Sequence, residues 1–159
     1  MTNYFAVNIG KNMNLQEHFV ENLKELMIDN DLSVKTFCEK LDIGKSELYR
    51  CLRKENLLTL SSIIKIADYF CCSIDFLLGL APYLSDDKLN YTPPFNIAFR
   101  QILSEYGITR YQLNKHTKIS NSRIDDWYHG KRVPTLDSVI RLTKYFDCSI
   151  DKLLCREYR

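Results

Sequence analysis

Two runs of residues carry most of the recognisable chemistry. The first, KSELYRCLRK, sets Lys45, Ser46, Arg50, Arg53 and Lys54 among apolar residues. The second, SNSRIDDWYHGKR, has Ser120, Asn121, Ser122 and Arg123 at its head and Lys131 and Arg132 at its tail. Side chains of these types donate to base edges and to phosphate oxygens. Lysines and arginines on an exposed helix face are also the ordinary solvated surface of a protein. Asp125 and Asp126 sit inside the second run, where a carboxylate either accepts from a cytosine amine or is repelled by a polyanion. No other constellation stands out. His18, His116 and His129 have no cysteine or carboxylate at metal or triad spacing, so neither an enzyme, a metal site nor a cofactor is expected.

The chain that must position these residues has 159 of them, with 45% apolar and 26% charged, a composition of soluble globular proteins. That length fits one ordinary domain or two very small ones. The opening MTNYFAVNIGKNMN carries one lysine and no long apolar core, unlike a secretory signal. No apolar run approaches the roughly 18 residues of a membrane span. A cytoplasmic protein without a membrane partner is expected. Six cysteines occur without a C-x-x-C pair, which fits free and mostly buried thiols in a reducing compartment. The net charge of +2 names no partner by itself.

The chain repeats itself. At an offset of 76, LSSIIKIADYFCCSIDFLL (Leu60–Leu78) and LDSVIRLTKYFDCSIDKLL (Leu136–Leu154) agree at 11 of 19 positions. The register continues upstream without a gap, pairing Thr59 with Thr135, Ser46 with Ser122 and Phe19 with Phe95. The expected organisation is an N-terminal tail over 1–14, a first domain over 15–79, a linker over 80–93 and a second domain over 94–159. The intervening GLAPYLSDDKLNYTPP holds three prolines and an acidic pair, a composition that ends helices and builds no core. Its sixteen residues reach at most about 55 Å when extended.

Within a unit the periodicity is helical. Leu60, Ile63, Ile64, Ala67 and Phe70 follow the spacing of one buried helix face. Thr59, Ser73, Thr109, Ser120, Thr135 and Ser149 stand where N-caps are wanted. Together with segments near 15–30, 33–41 and 44–53, the pattern predicts five short helices per unit and no strand.

The second unit, ITRYQLNKHTKISNSRIDDWYHGKRVPTLDSVIRLTKYFDCSIDKLL, resembles the phage-repressor (Cro-type) helix-turn-helix family, also called the xenobiotic-response-element type. The resemblance rests on the run from Ser120 through Trp127, Gly130, Lys131, Arg132 and Pro134 to Leu136, followed by SIDKLL. The first unit is similar but more divergent: Lys54 stands for Gly130, Leu58 for Pro134, and the tryptophan is absent. The resemblance implies an all-α chain of two tandem five-helix lambda-repressor-like DNA-binding domains. It also implies a third helix in the major groove and a phosphate ligand at the head of the second helix. Val34 and Arg110 occupy that last position, and only Arg110 suits a phosphate.

Helical-wheel positions then divide the roles. Leu48, Cys51 and Leu52 are expected in the first core, and Ile124, Trp127 and Tyr128 in the second. Outward are Lys45, Ser46, Glu47, Tyr49 and Arg50 in one unit. In the other they are Ser120, Asn121, Ser122, Arg123 and Asp126. The expected DNA-binding set is Lys45, Ser46, Arg50, Arg53, Lys54, Arg110, Ser120, Asn121, Ser122, Arg123, Lys131 and Arg132, the last two gripping phosphates.

Charge separates the units. Residues 15–79 hold eight basic and eleven acidic side chains, a net −3, whereas residues 95–159 hold twelve and seven, a net +5. Phosphate attraction supplies most non-specific affinity, so the second unit is expected to bind DNA more strongly. Phe76 aligns with Lys152 and, with Leu80, extends apolar surface in a way that suggests a domain or subunit contact. The expectation is a sequence-specific transcriptional repressor acting on double-stranded DNA by occupancy, with a homodimer left open. The linker outreaches the ~34 Å between half-sites one helical turn apart. The alternative is a protein-interaction or antitoxin-like adaptor whose first unit pairs with proteins.

Overall fold

The computed structural model describes residues 15–81 and 89–157; the expected N-terminal tail and half of the expected linker, residues 82–88, lie outside that range. The described residues fall into two compact units, one on each side of residue 88. Every regular element among them is a helix, as expected.

The first unit consists of α1 (Leu15–Asp29), α2 (Val34–Leu41), α3 (Lys45–Leu52), α4 (Leu60–Phe70) and α5 (Ile74–Leu77). The second consists of α6 (Phe95–Glu105), α7 (Arg110–Thr117), α8 (Asn121–Tyr128), α9 (Leu136–Phe146) and α10 (Ile150–Leu153). The last four helices of the second unit each begin 76 residues after their counterparts. α6 starts later than that register because Pro94 is its cap, and proline favours extended backbone just before it.

The caps explain the boundaries. Ser33, Thr59, Ser73, Thr109, Ser120, Thr135 and Ser149 each accept a hydrogen bond from the backbone N–H three residues on. Each such bond satisfies one otherwise orphaned donor and contributes about 1 kcal/mol. Thr109 adds a capping box with Gln112. Gly44, ahead of α3, caps without a side-chain bond.

Backbone turns repeat as faithfully as the helices do. Positive φ recurs in register at Asp31 and Gly107, Asp42 and Lys118, Lys54 and Gly130, Cys71 and Asp147, and Gly79 and Cys155. Lys54, which stands where the family-like loop of the second unit has Gly130, therefore holds the same left-handed conformation, at φ 61° against 71°. Leu58 and Pro134 match in the same way, both buried. The divergent first unit keeps the loop without its signature residues.

Each unit has its own core. In the first, Phe19, Leu23, Phe37, Leu48, Ile63 and Leu77 are fully enclosed. In the second, Trp127 is 3% exposed and meets Phe95 and Phe99 edge-on, with centroids 6.2 and 6.1 Å away. Phe95 and Phe99 stack on each other at 5.5 Å. This aromatic cluster fixes α8 on α6, and such pairs contribute about 0.5–1.5 kcal/mol each beyond area burial. Trp127 is a core anchor. All six cysteines are free thiols, and Cys51, at the position of Trp127, is wholly buried.

Candidate nucleic-acid interface

The second unit presents α7 and α8 as a helix-turn-helix. Lys118 closes α7 in the left-handed region, and Ile119 is the buried plug of the turn. Asn114 donates from Nδ2 to the Ile119 carbonyl at 2.7 Å, and Thr117 donates to the Leu113 carbonyl at 2.7 Å, so side chains brace the turn. Ile124 and Trp127 turn inward, which leaves Ser120, Asn121, Ser122 and Arg123 exposed at the N-terminal end of α8. Lys131 and Arg132 are exposed on the following loop. The loop is held by both their backbone N–H groups, which donate to the Asp126 carbonyl at 2.8 and 3.4 Å.

The two adjacent carboxylates are not bare. Asp125 forms a short charge-assisted hydrogen bond with Arg110, and Asp126 lies 3.5 Å from Arg132. Asp126, expected outward, is half-buried, because the loop folds back over its carbonyl and Arg132 over its carboxylate. Tyr128, expected in the core, is only half-buried. Its ring carries the guanidinium groups of Arg100 and Arg110, each 4.6 Å from the ring centroid. Neither Arg100 nor this role for Tyr128 was visible in the sequence: the partners lie on three different helices.

In the first unit, Lys45, Ser46, Tyr49, Arg50, Arg53 and Lys54 are all exposed. Glu47, expected outward, is half-buried and accepts from Ser62 Oγ at 3.3 Å, which ties α3 to the start of α4. Leu52, expected in the core, is only half-buried. Two of the expected cations are already engaged. Glu55 pairs with Arg53 at 2.6 Å and with Arg50 at 3.6 Å. The hydrogen bond from Arg53 holds the Glu55 carboxyl below its ordinary range, so it stays ionised. Phe76 and Leu80 are half-buried, and the Phe76 carbonyl accepts from Asn22 at 2.8 Å.

No group of histidine, cysteine and carboxylate side chains suited to a metal occurs among the described residues, and none of their helices is long and apolar enough to cross a membrane.

A model of the Cro/C1-type HTH DNA-binding domain matches the chain twice, over residues 22–82 and 98–157. The chain belongs to this family. Both halves are Cro/C1-type domains in tandem, including the divergent first one, whose signature loop residues are replaced. The chain is also 32% identical over 63 residues to the HTH-type transcriptional activator BcrR of Enterococcus faecalis. That match covers 40% of this chain and 31% of the relative, so the chain spans only about a third of that protein. No solved structure matches it.

Proposed function

We propose that the chain is a sequence-specific DNA-binding transcription regulator, organised as domains over 15–79 and 94–159 joined by 80–93. In this reading α8 enters the major groove with Asn121, Ser122 and Arg123 at base edges, while Ser120, Arg110, Lys131 and Arg132 hold backbone. The observation that carries it is the exposed polar N-terminal face of α8 on a family-typical helix-turn-helix. Its two neighbouring carboxylates are each neutralised by an arginine. Regulation proceeds by occupancy, without catalysis. Occupancy of a site over a promoter gives repression by steric exclusion; the activator name of the Enterococcus relative favours the opposite sign. A reporter with the site placed over or upstream of the promoter separates the two.

For the first unit, Lys45, Ser46, Arg50, Arg53 and Lys54 form the corresponding set on and after α3. Its net −3 and the hold of Glu55 on two arginines favour a second reading, in which this unit mainly pairs through Phe76 and Leu80. Sedimentation of Phe76→Lys tests that: weakened association supports pairing, and unchanged association removes it. The whole proposal is tested by selecting bound fragments from random duplex DNA at stated salt. Recovery of a consensus supports it. Recovery of unrelated sequences, with binding that vanishes at physiological salt, overturns it.

A further inference from the structure

We infer that Arg100 is a backbone-phosphate contact of the second unit and that Tyr128 is the residue that positions it. This rests on the proposed docking of α8. Arg100 leaves α6 on the side facing α8, where its Nε donates to the Tyr128 carbonyl at 2.9 Å while its guanidinium stacks on the Tyr128 ring. Tyr128 is the last residue of α8, so that carbonyl is one of the helix's C-terminal acceptors, at the negative end of the helix dipole. One nitrogen is thereby committed, and the guanidinium carbon rests over the ring at 4.6 Å from its centroid. The two terminal amino groups remain as a fork of the kind that suits phosphate.

Three observations point to this arginine as a backbone contact in addition to Arg110 and Arg132. Arg110, on the same ring, is engaged by Asp125, and Arg132 by Asp126, whereas Arg100 is exposed and has no carboxylate partner among the described residues. Its stacked and hydrogen-bonded geometry exists before any ligand arrives, which lowers the ordering cost of a contact. The register equivalents in the first unit are Lys24 for Arg100, Val34 for Arg110 and Leu52 for Tyr128. The first unit thus has neither the ring nor the second guanidinium, and the device belongs to the more basic unit alone.

The test uses the full chain, titrated with a duplex carrying the selected site and with a scrambled duplex over a salt series. Arg100→Gln should weaken both duplexes by the same factor and reduce the salt slope by about 0.9, the value of one lost phosphate contact. Tyr128→Leu, which copies the first unit and removes no charge, should reduce the slope in the same direction, and Tyr128→Phe should restore it. A ring with a purely structural role would shift the melting temperature and leave the slope alone. If Arg100→Gln keeps the wild-type slope while Asn121→Ala and Lys131→Ala still weaken binding, the assignment is wrong and the docking stands. If none of these variants affects binding, the docking itself fails.

Discussion

Arg156 and Asp151 meet at 2.8 Å with side chains only 1% and 4% exposed, which places an ion pair inside the second unit at the end of α10. The first unit has Leu80 at the position of the arginine. Removing one partner from a buried pair strands the other charge, so Arg156→Leu should cost about 3–5 kcal/mol. Arg156→Leu combined with Asp151→Leu should recover much of that loss. Urea unfolding of the three proteins measures both numbers, and a loss below 1 kcal/mol for the single variant would show that the pair is solvated.

The register match of Lys54 with Gly130 gives a second prediction. A Cβ at Gly130 would be strained at φ 71° and would press on the Asn96 side chain at 3.2 Å. Gly130→Ala should therefore destabilise the second unit by about 1–2 kcal/mol. Lys54→Gly relieves the same strain in the first unit against a loss of unfolded-state stiffness, so its net effect should lie within about 1 kcal/mol of zero. Thermal melts of both variants check the contrast.

Glu55 restrains the cations that follow α3. Glu55→Gln should free Arg50 and Arg53, raise affinity for DNA of any sequence and steepen the salt dependence by up to about two contacts. Unchanged binding would support the pairing role of the first unit. Both side chains of the Arg53–Glu55 pair are well exposed, so little change in folding stability should accompany the substitution.

On α8, base and backbone contacts should respond differently. Asn121→Ala should cost about 1–3 kcal/mol on the selected site and relax preference at one position. Lys131→Ala should weaken all sequences alike and lower the salt slope by about one. A matched and a scrambled duplex over four salt concentrations distinguish the two patterns.

Burial pushes the Cys51 thiol up to about 11, well above its ordinary value. Because the folded value is the higher one, the thiol's contribution to stability is intact below its ordinary range. That contribution is lost as the pH climbs through that range towards 11. Wild type should lose more stability than Cys51→Val between pH 8 and pH 10.5, read as a difference in urea midpoints. Alkylation at pH 8 should reach exposed Cys71 long before Cys51.

Much of the fold was legible because it is written locally. Cap residues, apolar spacing and the internal repeat each act over a few neighbouring positions, and Ser73, Thr109 and Thr135 sit in the structure where those signals put them. The candidate interface was legible less completely. Arg110 meets Asp125 fifteen residues away, and Arg100 meets Tyr128 twenty-eight away, so nothing in either neighbourhood reveals the partner. Glu47 illustrates the same limit. Its exposure is decided by where Ser62 arrives on another helix. The left-handed turns at Asp42, Cys71 and Asp147 were hidden for a different reason, since glycine is the residue that usually announces them.

The duplication has not been kept evenly. α3 and α8 share only Ser46 and Ser122 out of eight positions, although the stretches that follow, Leu60–Leu78 and Leu136–Leu154, agree at 11 of 19. A chain built this way separates its architecture from its message. The caps, turns and core that both copies retain are enough to form either bundle, and the solvent side of the third helix is free to drift without unfolding anything. If both third helices read DNA as proposed, variation can therefore retune one copy's preference while the other continues to anchor the protein where it already works.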